Sequence, residues 1–252
     1  MNQETNLMLN SDYRRFVVMK KSNHSYTVNH KITEIFHSAS LKDLPCYIVG
    51  GGESIQQYDL SKLDNEMTIG INKAFQFYPK VKINYSMDSD FYEAMKSGRY
   101  NDPNPLLESI WDAWMKYEGK RIFLAPMERK KYGEEVYLVR RQHAPKVSRN
   151  LEDGIYGGQN SGVGALLLAI ALGANPIYLL GYDMQVDIKT HWHNGYPGRN
   201  IEDFREKLAG YRTEIEKLAP VIKEQGIAVL NLNQNSGLRC FPFADASELM
   251  KG

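Results

Sequence analysis

The chain has 252 residues, 42% of them hydrophobic, with a formal net charge of +1 at pH 7. That length and apolar content suit one sizeable α/β domain, and the near-neutral balance excludes a nucleic-acid or membrane-surface binder that works through global charge. Two cysteines, Cys46 and Cys240, lie far apart without CxxC spacing, so the expectation is free thiols and a reducing, cytoplasmic setting rather than a disulfide framework.

The N-terminus, MNQETNLMLNSDYRRF, carries no apolar core of signal-peptide length. Residues 1–44 read as an extension or small helical element that packs on a main domain spanning 45–252. From Cys46 the pattern changes. CYIVG reads as a short buried strand, followed by three consecutive glycines, Gly50 to Gly52, and then Glu53 and Ser54. MTIGINKAF is a second strand ending at Asn72, and KINYSMD a third ending at Asp88. SDFYEAMKS reads as a helix. PLLESIWDAWMKYEG has Leu107, Ile110, Trp111, Trp114 and Met115 at helical spacing. RIFLAP is a fourth strand. Residues 128–158 show no sustained period and are expected to form an insertion or lid. NSGVGALLLAIALG opens a helix from a small-residue loop and closes at Gly173. PIYLLGYD is a strand ending at Asp183, and MQVDIKTHWHNGYPGRN a polar loop. Residues 201–226 form a long amphipathic helix capped by Asn200, and IAVLNLN a last strand. The longest apolar stretch, around LLLAIALGANPIYLL, is interrupted by Gly173, Asn175 and Pro176, so it reads as buried helix plus buried strand, not a membrane span.

Strands alternating with helices predict a doubly wound, mostly parallel sheet with helices on both faces. Ligands of such sheets sit beyond the C-terminal strand ends. The unusual residues gather there: Gly50–Ser54, Asn72, Asp88, Asn160–Gly162, Asp183 and the histidine loop.

Each motif has two readings. GGGES lacks the GxGxxG spacing and has no GK[ST], so it is either a loop that brings N–H groups to a phosphate or an ordinary tight turn. Asn72 can offer an amide to a base or ribose, or it can simply form a turn. Asn160 and Ser161 can cap the helix that follows. Gly162 and Gly164 let a ligand approach its N-terminus, which is suited to an anion. His191 and His193 can act as a general base, ligate a metal with Asp183 or Asp187, or face solvent. Asp88 and Asp183 can hold Mg²⁺ or cap the segments after them. The basic, tyrosine-rich stretch 129–149 can meet an anion or form a solvated surface.

The block NSGVGALLLAIALGANPIYLLGYDM resembles the corresponding block of bacterial sialyltransferases with a single Rossmann-like domain. The order VGGGES, GINKAF, SGVGALLLAIALG, HWH also resembles theirs, over roughly residues 46–240. Motility accessory factor proteins, 6-hydroxymethylpterin diphosphokinase-like proteins and short phage proteins are similar. The resemblance implies a Rossmann-like glycosyltransferase with a CMP-linked sugar donor, an unidentified acceptor and no required cofactor. It implies nucleotide contacts at Gly51, Gly52, Ser54, Asn72, Asn160, Ser161, Gly162 and Asp183. His193 or His191 would be the base that deprotonates the acceptor. The pattern departs from the family's at Gly51, where the family has Asn, and at Met87–Asp88, where it has Asn–Pro. Two alternatives follow from the wider relatives: a Mg²⁺/ATP-dependent diphosphotransferase with the metal on Asp88 and Asp183, and a non-catalytic nucleotide-binding accessory protein.

Overall fold

Eight short strands, all parallel, make the central sheet of the computed structural model, which describes residues 29–127, 132–186, 191–193, 196 and 200–250. In chain order the strands are β1 (His30–Lys31), β2 (Cys46–Val49), β3 (Thr68–Ile71), β4 (Ile83–Ser86), β5 (Lys120–Leu124) and β6 (Val136–Val139), then β9 (Ile177–Leu180) and β10 (Val229–Asn231). Between β6 and β9 lie β7 (Arg141–Gln142) and β8 (Ile155–Tyr156), which pair in parallel as a separate two-stranded sheet. The spatial order of the large sheet is β1-β6-β5-β4-β3-β2-β9-β10.

The strands read as continuous apolar runs because both faces are covered, as parallel sheets require. Their side chains alternate between two cores. Cys46 and Ile48 of β2, and Ile122 and Leu124 of β5, face one core. Val49 and Phe123 face the other. The second core is filled by three helices, α1 (Ala74–Phe77), α2 (Ser89–Lys96) and α3 (Ile110–Lys116), with Phe75, Tyr92 and Trp114 at its centre. On α3 only part of the predicted apolar face goes inward. Ile110 and Trp114 are buried, while Leu107 and Met115 are exposed.

The first core is built on α4 (Ser161–Ala171), all eleven of whose residues are buried. It packs on β2, β3 and β4 on one side and on α5 (Ile201–Glu224) on the other, which is why it has no polar face. Gly164 makes this approach feasible: a Cβ there would lie 2.2 Å from the Tyr85 hydroxyl oxygen. The helix stops at Gly173, whose φ of +92° is the left-handed turn glycine accepts. On α5, Phe204, Ile215, Leu218, Ala219 and Ile222 form the buried stripe, and Asn200 caps the first turn by accepting from the Glu202 and Asp203 amides.

Parts of 128–158, expected as an insertion or lid, reach into the core, while residues 143–146 are exposed. Val136 and Val139 of β6 are fully buried beside β5, and Val147, Leu151 and Ile155 are buried below α4. Residues 128–131 lie outside the described part. So do residues 1–28 of the expected N-terminal extension; residues 30–31 of it add an edge strand to β6, and Ile32 and Leu41 are buried. Cys46 and Cys240 are both free, and burial pushes the Cys46 thiol up to about 12. Among the described residues no helix is long and apolar enough to cross a membrane.

Candidate functional site

From β2 the chain moves outward through β3, β4, β5 and β6, then crosses back to place β9 on the other side of β2. The strand order therefore reverses between β2 and β9, and a crevice opens there beyond the strand ends. A cleft of about 550 Å³ occupies it, bordered by Gly50–Gly52, Asn72, Asn160–Gly162, Asp183, His191 and His193. Of the nucleotide contacts expected from the sequence, only Ser54 is not among its lining residues.

The turns after β2 and β9 interlock on one side of the cleft. Gly50 N–H donates to the Leu180 carbonyl at 2.8 Å, and Gly52 N–H to the Gly181 carbonyl at 2.9 Å. A Cβ on Gly50 would lie 2.7 Å from the Gly181 carbonyl oxygen, and one on Gly52 would lie 2.5 Å from the Asp183 carboxylate. Two of the three glycines are thus required by neighbouring protein atoms. Gly51 differs. A Cβ there would meet only the His191 ring, at 3.1 Å, and its N–H has no acceptor among the described residues.

Ser54 and Asp183 serve each other. Asp183 accepts the Ser54 amide at 2.9 Å, the Ser54 hydroxyl, and the Asn233 side-chain amide at 2.8 Å. The carboxylate therefore caps the 3-10 turn Glu53–Gln57 and ties the β2, β9 and β10 loops together. Its neighbour loop is braced further by Ser236, whose hydroxyl donates to the Tyr182 carbonyl at 2.6 Å, and by Gly237 N–H to the Asp183 carbonyl at 2.7 Å. A Mg²⁺ ion or a ribose at Asp183 would share the carboxylate with these three donors, two of which fall on Oδ1 and one on Oδ2. Asp88 likewise acts as a cap: it opens α2 by accepting from the Asp90 amide at 2.8 Å. Among the described residues no group of three His, Cys, Asp or Glu is placed to hold a metal ion; Asp187 lies outside them.

The opposite wall is a cluster of hydrogen-bond donors. Asn72 has φ +52°, the left-handed turn, and it lines the cleft. Its backbone bonds Tyr85 and Asn84, while its side-chain oxygen accepts from Ser161 Oγ at 3.2 Å. Ser161 Oγ in turn accepts the Met87 amide at 3.2 Å. Asn160 caps α4 by accepting from Val163 N–H at 3.1 Å, which leaves its buried Nδ2 without a partner. The N–H groups of Ser161 and Gly162, in the first turn of α4, have no intrahelical acceptor. The helix dipole adds partial positive charge at the same point.

The histidine loop docks on the glycine turn: Trp192 N–H donates to the Gly51 carbonyl at 3.3 Å, and Gln56 Nε2 to the Trp192 carbonyl at 3.1 Å. His191 and His193 stack with ring centroids 5.2 Å apart. Tyr196 and Phe204 pack on His191 at 4.8 and 4.9 Å, and Phe77 stacks on His193 at 5.4 Å. This aromatic packing orients both rings at the cleft, where solvent-facing histidines would have no such neighbours.

Sequence reasoning missed two cations. Arg141, on β7, lines the cleft beside Met87 and Pro126. Lys73, 1% exposed, donates to the Tyr100 carbonyl and lies 5.5 Å from the Tyr196 ring centroid. Burial lowers its pKa to about 8, against a smaller opposing pull from Asp102. Lys73 adjoins Asn72 in sequence, but only the fold reveals that it turns inward. Arg141 had a weak signal, being one of many basic residues in 129–149.

No protein-family model and no curated protein matches the chain. Among solved structures it is similar to the sialyltransferase CstII from Campylobacter jejuni in complex with a substrate analogue, CMP-3FNeuAc, with 17% identity, 83% of this chain and 89% of that chain covered, and a TM-score of 0.47. It is similar also to the sialyltransferase CST-II in complex with trisaccharide acceptor and CMP, with 20% identity, 82% and 91% covered, and a TM-score of 0.47.

Proposed function

We propose that the chain is a sialyltransferase-like glycosyltransferase that takes a CMP-linked sugar as donor. The observation that carries this reading is the meeting, in one cleft at the switch point, of an uncommitted donor cluster and two stacked histidines. The sequence resemblance around SGVGALLLAIALG and HWH supports the choice of donor.

The chemistry is in-line displacement at the anomeric carbon. The acceptor hydroxyl oxygen forms the new bond to that carbon as the bond from the carbon to the phosphate oxygen breaks. His193 takes the acceptor proton, with His191 stacked against it. CMP departs with the negative charge, which the N–H groups of Ser161 and Gly162, the free amides of Asn72 and Asn160 and the dipole of α4 stabilise. Gly51 supplies a further N–H from the opposite wall. These donors can stabilise a nucleoside monophosphate leaving group without a metal. The acceptor is an alcohol, and the free cysteines suit a cytoplasmic setting.

A thermal-shift panel of CMP, UMP, GDP and ATP, each with EDTA or Mg²⁺, tests the reading. A ligand at about a hundred times its Kd adds about 2.7 kcal/mol, or roughly 5–10 °C for a chain of this size. The expected result is a metal-independent shift with CMP. A shift confined to ATP with Mg²⁺ would replace the reading with a diphosphotransferase. A shift with CMP but no consumption of any CMP-sugar would leave a nucleotide-binding accessory protein.

A further inference from the structure

Arg141 lines the cleft together with Met87, Asp88, Asp90, Pro126 and Met127. Arg141 is half-buried there and held by main-chain carbonyls alone. Its Nε donates to the Ala125 carbonyl at 2.9 Å, and one terminal nitrogen faces the Met87 carbonyl at 3.4 Å. The other terminal nitrogen, Nη1, has no acceptor among the described residues, and no carboxylate among them pairs with the guanidinium. Two acids, Asp88 and Asp90, line the cleft with it, and Asp88 uses Oδ1 to accept the Asp90 amide.

The placement is built rather than incidental. β7 pairs Arg141 with Ile155 of β8, and β8 runs directly into the N-terminus of α4. A Cβ on Gly157, between them, would lie 3.1 Å from Nη1, so the arginine is packed against the approach to the α4 donor cluster. Glu214 fixes that approach from α5 by accepting the Tyr156 hydroxyl at 2.9 Å and the Gln159 amide at 2.8 Å. A partly desolvated guanidinium that no carboxylate pairs with, in a polar cleft, is a site for an anion, with Asp88 and Asp90 the acids that share its part of the lining.

We infer that Arg141 binds an anionic oxygen group of the ligand, a carboxylate or phosphate, extending the donor cluster of Asn72, Asn160 and α4 along the cleft. The identity of that ligand rests on the function proposed above; the presence of an anion site does not. A planar guanidinium matches a carboxylate through two parallel N–H groups, so on that reading the sugar's carboxylate is the expected occupant.

The test is calorimetric titration of the wild type, Arg141→Gln and Arg141→Lys with CMP-N-acetylneuraminic acid, CMP and cytidine. Loss of a charge-assisted hydrogen bond weakens binding by roughly ten- to hundredfold. Arg141→Gln is expected to lose that much for the CMP-sugar and nothing for cytidine, with Arg141→Lys in between. A loss for the CMP-sugar alone identifies the carboxylate; an equal loss for CMP identifies the phosphate. Unchanged affinity for all three, or an equal loss for cytidine, overturns the assignment. A wild type that binds none of the three contradicts the proposed function, and the anion site is then read from inorganic pyrophosphate. A thermal shift with pyrophosphate that Arg141→Gln abolishes supports it, and one that is absent or that the variant keeps overturns it.

Discussion

Asp183→Asn separates a structural latch from a ligand contact. The carboxylate accepts from the Ser54 amide, the Ser54 hydroxyl and the Asn233 amide, and it is 9% exposed. Asparagine keeps one oxygen, so the Ser54 amide can remain paired. Its NH₂ group then faces Asn233 Nδ2, and Asn233 cannot simply flip because its own oxygen accepts the Asn235 amide at 3.0 Å. The variant therefore loses a charge-assisted hydrogen bond and leaves one buried donor unpaired, a cost of about 2–3 kcal/mol. For a chain of this size that corresponds to roughly 4–12 °C in Tm. Calorimetry with the apo protein measures it, and CMP titration below the new Tm measures the site. The expected result is a lower Tm with CMP affinity changed only modestly. An unchanged Tm with lost nucleotide binding would refute the latch and return Asp183 to direct ligand contact.

Other expectations follow from individual contacts. Gly50→Ala drives a Cβ to 2.7 Å from a backbone oxygen and is expected to cost about 1–3 kcal/mol in urea unfolding. Gly51→Ala, which meets only the His191 ring, should unfold like the wild type and show its effect in CMP affinity. Gly164→Ala should cost a similar 1–3 kcal/mol through its clash with Tyr85. Tyr85→Phe alone should be neutral or stabilising by urea unfolding, because the buried Tyr85 hydroxyl has no partner. Lys73 has a folded pKa of about 8, below its ordinary 10.5. Between those values the unfolded chain binds the extra proton, so Lys73 by itself adds about 1.5 kcal/mol of stability from pH 8 to 9.5, while the Cys46 and Cys240 thiols, whose pKa values burial raises, together remove about as much over the same range. Above pH 10 buried tyrosines such as Tyr117, with raised pKa values, lower stability further in both the wild type and a Lys73 variant. Urea unfolding should therefore show Lys73→Met losing about 1.5 kcal/mol relative to the wild type between pH 8 and 9.5, and equal pH profiles for the two proteins would refute the burial of the amine.

The strand ends and α4 were legible because they rest on local signals: short apolar runs, a cap at Asn160 and a stop at Gly173. The strand at Val136–Val139 was not, because four residues flanked by charges carry too little period to stand out from a loop. The glycine turn was legible as a place of close approach but not as to what approaches. The partner of Gly50 is Gly181 and that of Gly52 is Asp183, contacts more than a hundred residues away that no local pattern encodes. Ser54 follows the same logic, since its hydroxyl is committed to Asp183. Asn72 was legible as a turn, but that the left-handed turn aims its side-chain oxygen at Ser161 was not, because Ser161 lies 89 residues further along the chain. Arg141 needed the β7–β8 pairing to be distinguished from its basic neighbours.

The most direct test of the central claim is CMP release from CMP-N-acetylneuraminic acid in EDTA, with and without a sugar acceptor, by the wild type and by His193→Ala. The account predicts metal-independent release by the wild type. In the variant it predicts a loss of release on the order of 10²–10⁴-fold, as expected for removal of a general base, while CMP affinity stays near the wild type's. Release at equal rates by both proteins, or none by a wild type that binds no CMP, would contradict it.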